Sequence, residues 1–330
     1  MKYEKYAIAD IHLHLDGSLS PKAVIDVAKK ENIELPTYDE KELTSYLQAP
    51  ENCESLNELL KRFDIPNLVL QGKYGLKYCT LDLLKRISDD GVKYAEIRMA
   101  PQLSTAKGLS QEDVVKTMIE SLKEGEEKYG IKSNLIVCMM RGKDNFEKNK
   151  ETIELAKKYR DQKVCAVDIA GAEAIFPNDM FIMEFALVKK YGLNLTIHAG
   201  EAAGANSVKT ALFYGADRIG HGVHAIQDKS VCKELKKTAI CLEICPKSNL
   251  DTKAIRSYDE LPIKDFLKMG IKVSINSDDM TVCNTSVKKE YETLSKLGFK
   301  ENELRKFALN TIDAAFCDQQ TKDYLKQFIL

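Results

Sequence analysis

The sequence predicts a closed (β/α)8 barrel of the TIM type, with extra helices inserted between the first and second strands. Eight short apolar runs of strand length alternate with longer amphipathic segments. Histidines and carboxylates cluster at the ends of several of these runs. The chain has 330 residues, and one α/β barrel fills about 250 residues or more. A single domain spanning residues 1–330 therefore accommodates the whole chain.

The eight apolar runs have the composition of buried parallel strands. Leu135–Met140, for example, is apolar without interruption, which is typical of a strand that is buried on both faces. The alternative is an open doubly wound sheet, but no glycine-rich phosphate loop follows any of the runs, so the barrel is favoured. We predict strands at Ile8–Leu13, Tyr94–Arg98, Asn134–Met140, Val164–Ala170, Leu193–Ile197, Arg218–Gly220, Ile240–Ile244 and Lys272–Asn276.

Amphipathic segments between these runs predict the outer helices. Several of them end at a glycine that follows basic residues, namely Gly130, Gly192 and Gly270. A glycine there can adopt the left-handed C-cap, and the basic residues face the negative end of the helix dipole. Helix candidates include Gln111–Tyr129, Asn145–Tyr159, Met180–Tyr191 and Lys229–Lys237.

The segment 18–91 is too long for one crossover helix and predicts an insertion of several helices. Within it, Leu56, Leu59, Leu60 and Phe63 are spaced i, i+3, i+4 and i+7, which places them on one face of a helix. Such a stripe is either an ordinary packing surface or an apolar lid over the barrel mouth. We expect this insertion to form the lid.

Composition limits the partners and the compartment. The 49 basic and 50 acidic residues leave a net charge of −1, which argues against a nucleic-acid or membrane-surface partner held by bulk electrostatics. The nine cysteines include no CxxC pair, which favours reduced thiols in the cytoplasm. Neither a secretory leader nor an apolar run of about 18 residues is found. Nothing in the sequence predicts an oligomeric state.

All five histidines lie at or just beyond predicted strand ends. His12 and His14 follow the first strand, His198 the fifth, and His221 and His224 the sixth. In an α/β barrel, the carboxyl ends of the strands form the active site. We expect His224 to be buried and hydrogen-bonded, with a structural role.

Several of these residues have the spacing of a metal site. His12 and His14 are two residues apart in a strand, so their side chains project to the same side. Two such histidines can bind one metal ion, or they can make ordinary hydrogen bonds. His198 and the pair Asp278-Asp279 close later strands. Two adjacent carboxylates in a barrel mouth need a cation or proton nearby, although helix capping is an alternative. Three histidines and one carboxylate would form the ligand shell of a zinc ion, with an open position for a water molecule. Zinc lowers the pKa of a bound water towards ~7.

Glu201 lies three residues after His198, on the loop that leaves the same strand. A glutamate there is placed to act as a general acid or base. A solvated loop residue, or one in the first turn of a helix, is an equally good interpretation of this position alone.

Six motifs together resemble the adenosine deaminase family, in order and at the expected strand ends, from about residue 8 to about residue 315. They are His-Leu-His-Leu-Asp-Gly-Ser at 12–18, Asp-Ile-Ala-Gly-Ala-Glu at 168–173, His-Ala-Gly-Glu at 198–201, Gly-His-Gly at 220–222, Cys-Pro-Lys-Ser-Asn at 245–249 and Asn-Ser-Asp-Asp at 276–279. The resemblance implies one Zn²⁺ per chain, with the ligands His12, His14, His198 and Asp278.

The resemblance also implies roles in a hydrolytic deamination. Glu201 would protonate the purine N1, and His221 would orient or polarise the attacking hydroxide. Asp279 would bond that water and the purine N7, the backbone of Gly171 would meet N3, and Asp16 would take a ribose hydroxyl. The implied substrate is adenosine or 2′-deoxyadenosine.

Close relatives of the family act on other purines. Adenine deaminases tend to carry glutamate where this chain has Asp16, so aspartate favours a nucleoside, as does an apolar lid. AMP deaminases need a phosphate-binding cluster and extra N-terminal sequence, and neither is found. Met280 stands where proline often follows the paired aspartates, and Ala172 stands where some members have aspartate. We expect both to affect the shape of the pocket.

Two other classes of protein are less consistent with the sequence. A binuclear barrel of the phosphotriesterase type also opens with His-x-His, but it needs a bridging lysine at the end of strand four, where this chain has Asp168-Ile169-Ala170-Gly171. A non-catalytic nucleoside-binding relative would be expected to lack Glu201 or a zinc ligand, and all of these residues are present.

Overall fold

The computed structural model describes residues 3–329 and forms an α/β barrel of eight parallel strands. Each of the eight predicted strands is confirmed, with ends that shift by a few residues. The strands are β1 (Ala9–His14), β2 (Tyr94–Met99), β3 (Lys132–Met140), β4 (Val164–Ala170), β5 (Thr196–Ala199), β6 (Arg218–His221), β7 (Cys241–Ile244) and β8 (Val273–Ile275).

Helices lie between successive strands and cover the outside of the barrel. Residues 3–329 contain α1 (Pro21–Glu31), α2 (Glu40–Leu47), α3 (Leu56–Leu59), α4 (Asp64–Val69), α5 (Lys73–Asp89), α6 (Gln111–Tyr129), α7 (Phe146–Tyr159), α8 (Ile182–Lys190), α9 (Ala205–Phe213), α10 (Lys229–Thr238), α11 (Pro246–Asp251), α12 (Ile263–Met269), α13 (Val287–Lys296), α14 (Glu301–Ala314) and α15 (Gln319–Lys326).

Two four-stranded parallel sheets, β1–β4 and β5–β8, make up the barrel wall. One seam joins β4 to β5 through a bridge between Val167 and Leu195. The other joins the end of β8 to β1, where Asp278 bridges to Leu13. There the amide of His14 donates to the carbonyl of Asp278 at 2.9 Å, and the amide of Asp278 donates to the carbonyl of His12 at 2.8 Å. The second seam therefore brings predicted site residues together through the backbone itself.

The burial of the strands explains why their sequences are almost continuously apolar. β2, β5, β6, β7 and β8 are buried along their whole length, because one face packs inside the barrel and the other packs under the helices. Gly130 and Gly270 cap α6 and α12 in the left-handed conformation, at φ of 66° and 76°. The helix ends predicted at these two glycines are confirmed.

The insertion between β1 and β2 contains five helices, α1–α5. Residues 56–63 differ from the single helix that the spacing predicts: α3 is followed directly by a 3-10 helix at Leu60–Phe63. The 3-10 winding is tighter, with three residues per turn, so it changes the relative directions of the four apolar side chains. Leu59 is buried, and Leu56, Leu60 and Phe63 are partly buried.

Within residues 3–329, none of the helices combines the length and the apolar character that crossing a bilayer requires.

The contact between α4 and α5 predicts a sensitive position. A Cβ added at Gly75 would lie 1.9 Å from the carbonyl oxygen of Val69 and 3.2 Å from Cγ1 of Val27. We expect Gly75→Ala to lower the free energy of unfolding by about 1–3 kcal/mol, because a backbone carbonyl has little room to move. Urea denaturation measures this, and Lys85→Ala on the exposed face of α5 should change stability by about 0.5 kcal/mol or less. Equal stability of Gly75→Ala and wild type would contradict the prediction.

Candidate active site

A cavity of about 310 Å³ lies at the carboxyl ends of the strands, where α/β barrels carry their active sites. This volume is at the lower end of the range for small-molecule pockets. The walls combine polar groups from the strand ends with apolar side chains from the insertion. Residues that line it include His14, Asp16, Leu56, Leu59, Leu60, Phe63, Gly171, Ala172, His198, Glu201, His221, Asp278 and Asp279.

His12, His14, His198 and Asp278 converge on one point, as predicted, and their ligand atoms all lie within 4.8 Å of one another. The Nε2 atoms of His12 and His14 lie 3.1 Å and 3.3 Å from Nε2 of His198. The same two atoms lie 3.3 Å and 3.5 Å from Oδ1 of Asp278. Ligands about 2.05 Å from a tetrahedral zinc would be about 3.3 Å apart. The residues present therefore fit a four-ligand metal site.

The hydrogen bonds of two histidines fix which nitrogen faces this point. Nδ1 of His12 donates to Oε2 of Glu243 at 2.7 Å, and Nδ1 of His198 donates to Oδ1 of Asp168 at 3.2 Å. Their Nε2 atoms therefore present lone pairs to each other, which is favourable only with a cation between them. For His14, burial and the neighbouring histidines lower the pKa to about 3, so its ring is neutral at pH 7.

A buried charge network holds these carboxylates. Arg98 donates to Oδ2 of Asp168 at 3.0 Å and also to Glu243. Arg218 forms ion pairs with Glu243 and Glu96, its Nε lying 2.5 Å from Oε1 of Glu243 and its Nη2 lying 2.6 Å from Oε2 of Glu96. All five side chains are at most 1% exposed. Although burial opposes ionisation, the two arginines hold the pKa of Glu243 well below its ordinary value.

The sequence alone assigns no role to the five residues of this network, although Asp168 is part of one of the six motifs. The available signal is a charged residue inside an otherwise apolar strand, as with Glu243 in β7 and Arg98 in β2. A charge so placed must be paired, because an isolated buried charge is too costly. The oppositely charged partner, however, lies on another strand that comes close only when the barrel closes, so the sequence does not identify it.

The helix-capping alternative for Asp278 and Asp279 is wrong. The next helix, α13, begins at Val287, and its N-cap is Ser286, whose side chain accepts from the amide of Lys289. Asp278 has a φ of 62° and His221 a φ of 61°, a region that residues other than glycine rarely occupy and that clusters at functional sites. In both residues this backbone conformation occurs at a strand end that faces the cavity.

Glu201 and His221 lie side by side in the cavity, with Oε2 of Glu201 3.5 Å from Nε2 of His221. Burial, followed by the charges of Asp278 and Glu173, raises the pKa of Glu201 well above its ordinary value. Burial also lowers the pKa of His221 well below its ordinary value, and its Nδ1 contacts the amide of Asn249 at 3.0 Å. Both shifts favour the uncharged forms of these groups, a protonated carboxyl beside a neutral imidazole.

Asp16 and Asp279 each present a buried carboxyl oxygen, Oδ1, that has no hydrogen-bond partner among residues 3–329. Burial raises the pKa of Asp16 to about 6. Burial and the charge of Asp278 raise the pKa of Asp279 well above its ordinary value. A Cβ on Gly17 would lie 1.7 Å from Oδ1 of Asp279, so only glycine leaves room for this carboxyl. Both groups can bond a polar ligand.

The four apolar residues of the insertion all line the cavity, where a lid would lie, and Leu59 and Phe63 also belong to a small apolar packing cluster. Gly171 and Ala172 line the cavity from the end of β4, and the φ of 107° at Gly171 lies in the left-handed region that favours glycine. The prediction that Met280 shapes the pocket is wrong. Met280 does not line this cavity but belongs to the hydrophobic core, and its amide donates to Oγ of Ser18 at 3.0 Å. Its side chain therefore does not shape this pocket directly.

His224 lies outside the metal-ligand group. It is half-buried, and its Nδ1 donates to the carbonyl of Ala203 at 3.0 Å. The structural, hydrogen-bonded role expected of it agrees with this contact.

Comparisons with known proteins agree with this geometry. The family model described as adenosine deaminase matches residues 8–330. The adenosine deaminase of Haemophilus ducreyi is 43% identical over 326 residues, which cover 97% of this chain and 95% of the relative. That of Clostridium botulinum (strain Okra) is 42% identical, covering 100% and 98%. The crystal structure of an adenine deaminase from Arthrobacter aurescens is similar at a TM-score of 0.88 and 27% identity, covering 98% of both chains.

The converging histidines predict a stoichiometry. We expect purified protein to hold one divalent cation per chain and His198→Ala to hold far less, because a ligand is lost. His224→Ala, a histidine outside the group, should retain one. Glu243→Gln should weaken binding about 10- to 100-fold, because it disturbs the partner of His12. Elemental analysis by mass spectrometry measures all four proteins. Activity in wild-type protein that contains well under one cation per chain would contradict the prediction.

Proposed function

Since this chain belongs to the adenosine deaminase family, we propose that it catalyses the hydrolytic deamination of adenosine and 2′-deoxyadenosine. The products are inosine or 2′-deoxyinosine, and ammonia. The observation that carries the proposal is a buried Glu201 beside a group of three histidines and one aspartate that could hold a metal ion, in a cavity that apolar side chains also line.

The metal we propose is Zn²⁺, held by His12, His14, His198 and Asp278. Three neutral imidazoles and a carboxylate are typical of zinc, and ligand separations of 3.1–3.5 Å suit its tetrahedral shell. Zinc bound there would lower the pKa of a water towards ~7 and supply a hydroxide nucleophile at neutral pH. Glu243 and Asp168 orient the rings through Nδ1, as carboxylates commonly do beside metal-bound histidines.

Glu201 is the proposed proton donor to N1 of the purine. Attack at C6 pushes electron density into the ring, and a proton at N1 accepts that density. A carboxylic acid can give this proton only if it is still protonated near pH 7, and the raised pKa of Glu201 meets this condition. The neutral His221, 3.5 Å away, would orient the attacking group and accept its proton.

Asp279 is the proposed partner of N7. Burial and the charge of Asp278 raise the pKa of Asp279, which favours the protonated carboxyl. In that form it would donate to N7, which is an acceptor, and its second oxygen would accept from the attacking water. Because Oδ1 of Asp279 is buried without a partner among residues 3–329, a ligand bond here would satisfy it. The backbone of Gly171 would meet N3 from the other side of the ring.

Asp16 and the apolar roof support a nucleoside over a free base. Asp16 lies in a 3-10 turn after β1, and its unpaired carboxyl oxygen can accept a ribose hydroxyl. The roof, formed by Leu56, Leu59, Leu60 and Phe63, would cover the bound nucleoside and exclude water. An adenine deaminase would have no sugar in that space, and a non-catalytic relative would have no need of the acid Glu201.

The cellular setting is part of the proposal. All nine cysteines are free thiols, and seven of them are buried, which supports the reducing cytoplasm as the compartment. A reaction that converts adenosine to inosine belongs to purine salvage. The partner is a small purine nucleoside.

Removing the acid tests the mechanism. Glu201→Gln keeps the size of the side chain but has no acidic proton, and we expect kcat to fall by about 10²- to 10⁴-fold, the usual contribution of a general acid. The metal content and the circular dichroism spectrum should match those of wild type. Near-normal turnover of adenosine by this variant would refute the role assigned to Glu201.

A panel of purines tests the substrate. We expect kcat/KM for adenosine and deoxyadenosine to exceed that for adenine and AMP, because Asp16 and the roof act on the sugar. Asp16→Ala should lower kcat/KM for adenosine by about 10- to 100-fold, the effect of one lost hydrogen bond to a charged group, and should leave adenine turnover nearly unchanged. Purine absorbance follows the reaction, and equal kcat/KM for adenosine and adenine would overturn the assignment.

A further inference from the structure

Glu173, on the turn after β4, is 2% exposed and makes an unusual set of contacts. Its carboxylate accepts hydrogen bonds from four consecutive backbone amides of the loop that follows β5. Oε1 accepts from Gly200 at 2.7 Å, and Oε2 accepts from Glu201, Ala202 and Ala203 at 3.1, 2.7 and 3.1 Å. The hydroxyl of Ser207, in α9, also donates to Oε1 at 2.5 Å.

The carbonyl side of the same loop is held from β6. The amide of His224 donates to the carbonyl of Gly200 at 3.1 Å, and its Nδ1 donates to that of Ala203 at 3.0 Å. The amide of Gly222 donates to the carbonyl of Ala199 at 3.0 Å. Loop 200–203 is thus held between two neighbouring loops of the barrel: Glu173 bonds its four amides, and His224 bonds the carbonyls of Gly200 and Ala203.

These contacts matter because loop 200–203 has no regular secondary structure of its own. Amides in a helix or strand have backbone partners, whereas these four bond a single side chain. Charge-assisted bonds to a carboxylate are shorter and stronger than neutral ones. One of the four amides belongs to Glu201 itself, so the carboxylate of Glu173 fixes the backbone from which the side chain of Glu201 enters the cavity.

We propose that Glu173 is a positioning residue for the deamination: through the four amides, it holds the carboxyl of Glu201 at the place where a proton reaches the purine N1. This rests on the proposed function, since it is the acid role of Glu201 that needs this precision. Glu173 does not line the cavity and is not a metal ligand in the proposed set. Its effect therefore belongs to the chemical step and not to substrate or metal binding.

Glu173→Gln tests the proposal with little change in shape. An amide nitrogen would replace one acceptor oxygen and face backbone N–H groups, so part of the loop would lose its partner. We expect kcat for adenosine to fall about 10²-fold, the usual effect of a small misplacement of a catalytic group. KM and metal content should stay close to wild type. The amide hydrogens of residues 200–203 should exchange faster with solvent, a change that hydrogen-exchange mass spectrometry detects.

Two further variants complete the experiment. Glu173→Asp keeps the charge and both oxygens on a shorter side chain, so its kcat should lie between those of wild type and Glu173→Gln. Glu184→Gln is the matched control, because Glu184 is also buried and its hydrogen bond from the side chain of Asn149, at 3.4 Å, lies away from the loop. It should show wild-type kcat and unchanged exchange at 200–203.

Each outcome decides the matter. A wild-type kcat in Glu173→Gln, or a loss that disappears when activity is expressed per metal-loaded, folded molecule, overturns the proposal. If Glu173→Gln does not fold, Glu173→Asp decides: a partial loss of kcat with faster exchange supports positioning, and a wild-type kcat rejects it. Wild-type protein that does not deaminate adenosine contradicts the proposed function itself, and the exchange data still report whether Glu173 holds the loop.

Discussion

The pairing of buried charges inside the barrel is the constraint on which the site depends. Arg98 bridges Asp168 and Glu243, and these two carboxylates hold the Nδ1 atoms of His198 and His12. Removing one partner of such a pair would leave an uncompensated charge in the interior and cost about 3–5 kcal/mol. Because the folded chain itself supplies every member of this network, the two imidazoles are oriented before any cation arrives.

The fold was predictable because burial imposes a simple pattern. A strand covered on both faces has to be apolar along its length, as β3 is between Leu135 and Met139, and eight such runs leave few alternatives to a barrel. The inserted segment was less predictable. The i, i+3, i+4 spacing of residues 56–63 identifies the apolar side chains that face the cavity, but it does not distinguish an α turn followed by a 3-10 helix from one continuous helix.

The metal-ligand group was predictable for a different reason, since strand ends of a parallel barrel meet at one rim. His12, His198 and Asp278 are far apart in the sequence, yet the barrel topology brings them together. The residues and backbone contacts that support the site were less predictable. The hydrogen bonds from the neighbouring loop to Glu173 depend on the conformation of that loop. The left-handed φ of Asp278 depends on the backbone bridge to β1. Neither feature leaves a periodic signal in the sequence.

The two sheets of the barrel contribute equally to the ligand group. His12 and His14 belong to β1 in the first half-barrel, whereas His198 and Asp278 belong to the second, which contains β5–β8. A cation bound to all four is therefore a crosslink between two halves of the chain. Its binding free energy would add to the stability of the closed barrel and would be absent from either half alone, so the folding stability of the domain would depend on metal availability.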